Sequence, residues 1–255
     1  MNIWDEWSNR EPNDLGRCGI ARCETGNIAC DSYHNVDRDV DYVKSLNLDQ
    51  YRFSLSWARL LPTGYVADGV NQAGVDYYNE LINTLLEKGI EPMVTLFHWD
   101  LPLKLQDDYG GFNNSAIVDD FDAYADLAYS LFGDRVTKWM TMNEPHSYCW
   151  QGHDVGAFPP SYGDATGFNF YRCAHNMILA HAKAYRTYYA KYQPTQGGEV
   201  SITINAFWAE PRDPNNNDDI EAAQDSLYLA HKLFVLSGKV NLSKDIQHTC
   251  HFTLG

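Results

Sequence analysis

The chain is 255 residues long, which suits one domain with a large core or two small ones. Hydrophobic residues at 44% and charged ones at 21% are those of a folded globular protein. The formal net charge of −15, with no Lys/Arg block, argues against a nucleic-acid backbone as a partner. In chain order, Met1 to Trp7 shows neither the basic nor the apolar region of a signal peptide. Cys18, Cys23, Cys30 and His34 follow no zinc spacing, so a local disulfide or free thiols are expected there. Six cysteines over the whole chain are too few and too scattered for a disulfide scaffold. Asp49 to Trp57 alternates like a strand, and Gly74 to Lys88 carries Val75, Tyr78, Leu81, Ile82, Leu85 and Leu86 on one helical face. Glu91 to Phe97 is a short apolar strand. Ser115 to Phe132 repeats the helical period and stops at Gly133. Val136 to Met142 is a third strand, Phe168 to Tyr192 a long helix, Glu199 to Ile204 a fourth strand, and Asp219 to Val235 a last helix. No apolar run approaches the ~18 residues a membrane span needs.

Strands alternating with helices imply a parallel sheet covered by helices, joined by right-handed crossovers. No glycine fingerprint or phosphate loop follows any strand, which argues against a nucleotide site. Polar and aromatic groups follow instead: Ser56-Trp57-Ala58-Arg59, His98-Trp99-Asp100, Asn143-Glu144-Pro145 and Asn205-Ala206-Phe207-Trp208. Functional groups at the carboxyl ends of successive parallel strands are the layout of a (β/α)8 barrel, an α/β fold. Strands recur here every roughly 40 to 65 residues, so eight units need far more chain. The expectation is about half a barrel.

Pro145 disfavours the helical region for Glu144, so the strand ends there and the carboxylate projects over the barrel mouth. Burial against aromatic surface favours the uncharged form of a carboxyl, the form that protonates a glycosidic oxygen. Asn143 offers an amide to a sugar hydroxyl. His98 offers a ring nitrogen and Trp99 a flat apolar face; the bland alternative is a core histidine satisfied by a carbonyl, with Trp99 as packing. Arg52, inside an apolar and aromatic strand, either pairs structurally or orients a catalytic acid.

The segments Tyr51–Trp57, Pro92–Pro102, Lys138–Pro145 and Ser201–Pro211 strongly resemble glycoside hydrolase family 1, which includes β-glucosidases, lactase-phlorizin hydrolase and myrosinase. Gly111-Phe112, the run Phe132 to Val136 and the run His175 to Ala182 resemble its connecting segments. The resemblance runs to about residue 235 and implies a partial (β/α)8 barrel, roughly strands 2 to 5, that cleaves β-linked glycosides with retention. It implies Glu144 as acid/base, Asn143 as partner of the sugar 2-hydroxyl, and His98 and Trp99 as glycone contacts. Arg52 matches the arginine that holds the nucleophilic glutamate, and Asn205 lies at a strand end near the site. A β-glycoside substrate is implied, with no metal and no organic cofactor.

Some of the family pattern has no match. The Gln of the first strand, the Thr-Glu-Asn-Gly motif that carries the nucleophile and the late glycone-binding Glu-Trp segment do not occur. Residues 236–255 do not resemble the family and read as a readthrough, an alternative exon or a misjoined gene model. This chain is therefore expected to be inactive by itself; a sugar-binding or receptor-like member is the alternative. Compartment and oligomeric state stay open. The sequons at Asn113 and Asn241 are compatible with secretion.

Overall fold

The computed structural model describes residues 1–11, 18–163, 166–205 and 208–235, with 227–235 described by backbone alone. The tail expected over 236–255 lies outside the described residues. Helices α1 (Ile3–Ser8) and α2 (Val36–Ser45) precede strand β1 (Gln50–Ser54), and α3 (Trp57–Leu60) and α4 (Gln72–Glu87) follow it. Then come β2 (Glu91–Phe97), α5 (Leu103–Tyr109), α6 (Ile117–Phe132), β3 (Lys138–Asn143), α7 (Pro145–Cys149) and α8 (Phe168–Lys191). A short α9 (Gln193–Gln196), β4 (Glu199–Thr203) and α10 (Asn217–Val235) complete the order. The four strands form one parallel sheet in sequence order, so each crossover passes a helix over one face.

Apolar periodicity explains which face is covered. Val94, Trp139 and Val200 are register partners across β2, β3 and β4, and all three are buried. Trp139 meets the Tyr129 ring of α6 edge-on at 5.1 Å. The α4 stripe expected from spacing buries Val75, Tyr78, Leu81, Ile82 and Leu85, whereas Leu86 is exposed. On α6, Ile117, Phe121, Tyr124 and Phe132 are fully buried, each contributing about 1.5–3 kcal/mol of apolar burial. Asp119 and Asp120 in its first turn complement the helix dipole.

Two expected strands have an end that departs from the pattern by two residues or more. β1 ends at Ser54 because Ser56 and Trp57 turn into α3. Trp57 is a core residue rather than a site group: its ring stacks on Tyr124 at 4.6 Å and its Nε1 donates to the Gly64 carbonyl at 3.0 Å. β3 starts at Lys138 because the Val136 amide still donates to the Phe132 carbonyl, prolonging the turn after α6. The cysteines near the N-terminus follow expectation, and one further pair does not. Cys18 and Cys23 form the local disulfide, Cys30 is a free exposed thiol, and a second disulfide joins Cys149 of α7 to Cys173 of α8. Nothing in a separation of 24 residues signals that second pair.

A partly buried histidine gives the fold a pH dependence. His181 of α8 bonds the Thr141 hydroxyl of β3 at 2.8 Å, and burial pushes its pKa down to about 4. An unfolded chain protonates this ring near its ordinary value of 6.5, so between pH 6.5 and 4 the unfolded state binds more protons. Stability is full above that window and falls as pH drops through it. Denaturant unfolding at pH 7 and pH 4.5 should differ by about 2 to 3 kcal/mol from this residue, a slope that His181→Asn should remove. An unchanged slope in the variant would show that other groups set the acid limit.

Candidate active site

The pairing of β3 with β4 contains the feature that builds the site. Met140 pairs with Ser201 and Asn143 with Thr203, so three steps on β3 match two on β4. That extra residue is a bulge, and it breaks the alternation that would otherwise turn Asn143 toward the helices. Asn143 therefore joins Arg52, Thr95 and Met140 on the face away from the helices. Arg52 Nε donates to Thr95 Oγ1 at 2.9 Å, and Arg52 Nη2 donates to Asn143 Oδ1 at 2.5 Å. Since a guanidinium only donates, it fixes the Asn143 amide with Nδ2 left as the donor for a ligand.

Glu144 follows directly. Its amide extends the ladder to the Thr203 carbonyl at 2.9 Å, and its backbone is left-handed, at φ 43°. Pro145 closes the right-handed helical region to it, as the sequence implies, but the residue takes the left-handed region rather than an extended one. Glu144 thereby caps α7, receiving the Tyr148 amide on its carbonyl at 3.1 Å. Trp99 is the second left-handed residue here, at φ 76°. Its Nε1 donates to the Asn143 carbonyl at 2.7 Å, and its ring lies 6.1 Å from Phe158 and 6.3 Å from Tyr148. Two such non-glycine conformations cost on the order of 1–3 kcal/mol each, and strain of that kind collects at functional sites.

His98 is exposed at the end of β2, so it is not a core histidine. Its pKa is held below the ordinary value, first by desolvation and then by the charge of Arg52, with Glu144 opposing. A neutral ring can both accept from and donate to a hydroxyl. Arg52 is also exposed, because it lies on the open face of the sheet. Its partners are a hydroxyl and an amide, while Glu144 acts on it through charge alone, opposing the desolvation that lowers its pKa. Asn205 reaches the same end of the sheet, donating from Nδ2 to Ser147 Oγ of α7 at 3.0 Å. The sequence reading misses Thr95, although a lone Thr inside an apolar strand was the available signal. It also gives no role to Asp100, whose carboxyl is pushed up to about 6 by burial. Among the described residues no cluster of three or more His, Cys, Asp or Glu side chains is placed to hold a metal ion. No helix among them is long and apolar enough to cross a membrane.

One constellation at the carboxyl ends of β1, β2 and β3 thus contains Arg52, His98, Trp99, Asn143 and Glu144. The model of glycosyl hydrolase family 1 matches residues 1–241. The chain belongs to glycosyl hydrolase family 1. It is 44% identical over 259 residues to lactase/phlorizin hydrolase of Homo sapiens, an alignment covering 97% of this chain and 13% of that protein. Identity to a non-cyanogenic beta-glucosidase of Trifolium repens is 43% over 242 residues, covering 92% and 48%. Among solved structures, a rice β-glucosidase superposes with a TM-score of 0.84 at 41% identity, covering 92% of this chain and 49% of that one. Aphid myrosinase superposes with a TM-score of 0.80 at 42% identity, covering 88% and 46%. This family 1 chain therefore spans about half the length of the β-glucosidases it matches, and its four parallel strands with their helices are part of the family's (β/α)8 barrel.

Proposed function

We propose that the whole protein carrying this chain is a retaining β-glycosidase in which Glu144 is the acid/base residue. The observation that supports the reading is the bulge in β3, which turns Asn143 to the open face beside Arg52, with Glu144 next in the chain and near enough to act on Arg52 and His98 through its charge. In the first half-reaction Glu144 protonates the glycosidic oxygen while a carboxylate from the other half of the barrel attacks the anomeric carbon. In the second, Glu144 takes a proton from water, which displaces the enzyme carboxylate with a second inversion. Asn143 Nδ2 donates to a sugar hydroxyl, held in register by Arg52. His98 and Trp99 contact the glycone, one by hydrogen bonding and the other by its ring face. Arg52 orients the attacking carboxylate through the positive charge it presents on the same face. On this reading the partial catalytic domain runs from residue 1 to about residue 235, and to residue 241 by the extent of the family match.

His98→Ala in the whole protein tests the glycone assignment. It should cost about 1–3 kcal/mol in kcat/KM for glycosides bearing the hydroxyl it contacts. A deoxy analogue lacking that hydroxyl should lose nothing further. Equal losses on both substrates would remove His98 from sugar recognition.

A further inference from the structure

We propose that Thr141, held by His181, is the positioning residue that keeps the bulge of β3 in place and, with it, the Asn143 amide on the sugar-binding face. The proposal rests on the reading of Asn143 as partner of the sugar 2-hydroxyl given above. Met140 still pairs with Ser201 in the regular register, and the next residue, Thr141, is fully buried. Its Oγ1 lies 3.3 Å from the Ser201 carbonyl oxygen and 2.8 Å from His181 Nδ1 of α8. A carbonyl only accepts, so the single hydroxyl proton goes to Ser201 and Oγ1 accepts from the ring. His181 therefore carries its proton on Nδ1. Two hydrogen bonds in series run from α8 through β3 to β4, the edge strand of the sheet.

These bonds meet the sheet where its pairing turns irregular. A bulge disrupts the ladder at its extra residue. Backbone pairing resumes beyond it, where the Glu144 amide donates to the Thr203 carbonyl at 2.9 Å. Between the two points, the Thr141 hydroxyl supplies a side-chain bond from the bulged strand to its partner. The competing arrangement is specific. Continuing the register of Met140 with Ser201 would set Met142 against Thr203 and turn Asn143 toward the helices. A valine at 141 would fill the same space and favour a regular strand, so packing alone does not call for a buried hydroxyl. Toward β2, Asn143 has separate anchors: its carbonyl accepts from Trp99 Nε1 and its side-chain oxygen from Arg52. Toward β4, the Thr141 hydroxyl stands beside the Glu144 amide in tying the bulge to its neighbour. Its loss should fall first on the direction of Asn143 Nδ2.

The experiment is a double-mutant cycle in the whole protein, with kcat, KM and thermal midpoint measured on an aryl β-glucoside and on its 2-deoxy analogue. Thr141→Val keeps the shape, removes the hydroxyl and should lower kcat/KM on the glucoside by about tenfold to a hundredfold. Thr141→Ser keeps the hydroxyl and should stay within about threefold of the unmodified protein. In an Asn143→Ala background, Thr141→Val should cost less than about threefold, because the contact it serves is already gone. On the 2-deoxy analogue its cost should be equally small. Should Thr141→Val fail to fold, His181→Leu removes the donor that holds the hydroxyl and should show the same non-additive pattern, with a loss of about two- to tenfold. A penalty undiminished in the Asn143→Ala background or on the 2-deoxy analogue would overturn the assignment. A Thr141→Ser as damaging as Thr141→Val would do the same. So would a silent Thr141→Val beside a costly Asn143→Ala, which leaves the reading of Asn143 intact. An Asn143→Ala that costs as much on the 2-deoxy analogue as on the glucoside would instead overturn that reading and the assignment with it.

Discussion

Replacing Glu144 by Gln in the whole protein is expected to slow hydrolysis of alkyl β-glycosides by about 10²–10⁴-fold, the usual contribution of a positioned general acid. An alkoxide is a poor leaving group, so cleavage of its bond depends on a proton delivered as the bond breaks. A dinitrophenolate leaves unaided, and formation of the glycosyl-enzyme from such a substrate should be nearly unaffected. The second half-reaction then becomes limiting, since Gln cannot take a proton from water, and a burst of phenol followed by slow turnover should appear. The contrast between leaving groups distinguishes a proton donor from a residue that merely supports the site. Glu144 caps α7 through its backbone, which Gln preserves, so the variant should fold normally. Uniform slowing of both substrates would point to damaged geometry rather than lost acid catalysis.

Residues 1–255 expressed by themselves are expected to show no glycosidase turnover and to associate rather than remain monomeric. The chemical part follows from the count of carboxylates, because retention requires two of them about 5–5.5 Å apart. The Thr-Glu-Asn-Gly motif that would supply the nucleophile is not among these 255 residues. The physical part follows from the sheet, where β1 and β4 each pair on one side only and leave rows of N–H and C=O groups for another strand. The open face adds less than its area suggests, since it carries Arg52, Ser54, Thr95, Ser201 and Thr203 beside Met93 and Met140. Edge pairing, more than apolar burial, should drive association. Light scattering that shows a monodisperse monomer, with turnover of an aryl β-glucoside abolished by Glu144→Gln, would contradict both parts.

Most of the architecture is legible in the sequence because it rests on periodicity. The apolar stripes of α4 and α6 and the runs that form β2 and β4 carry their burial pattern in their spacing, and their ends match within a few residues. Trp57 shows where that reasoning stops. Alternation through Asp49–Trp57 is indistinguishable from a strand until a helix arriving from residue 124 offers its ring a stacking partner. The site was legible as a set of residues, through the family's motifs, but not as a geometry. The bulge that aims Asn143 has no signature in Met140-Thr141-Met142-Asn143, since it is a property of two strands together. The same holds for the Cys149–Cys173 disulfide and for Thr95 beneath Arg52, both of which depend on contacts far apart in sequence.

If Glu144 acts within a double displacement, the configuration of a trapped product reads this directly. In the whole protein with Glu144→Ala, dinitrophenyl β-glucoside should still form the glycosyl-enzyme, and azide, which needs no general base, should enter the space the carboxylate vacates. Proton NMR of the reaction mixture should then show β-glucosyl azide, with turnover rising as azide is added. An α-configured azide would indicate single displacement, and a variant that hydrolyses the substrate at the unmodified rate with no azide adduct would remove Glu144 from the mechanism.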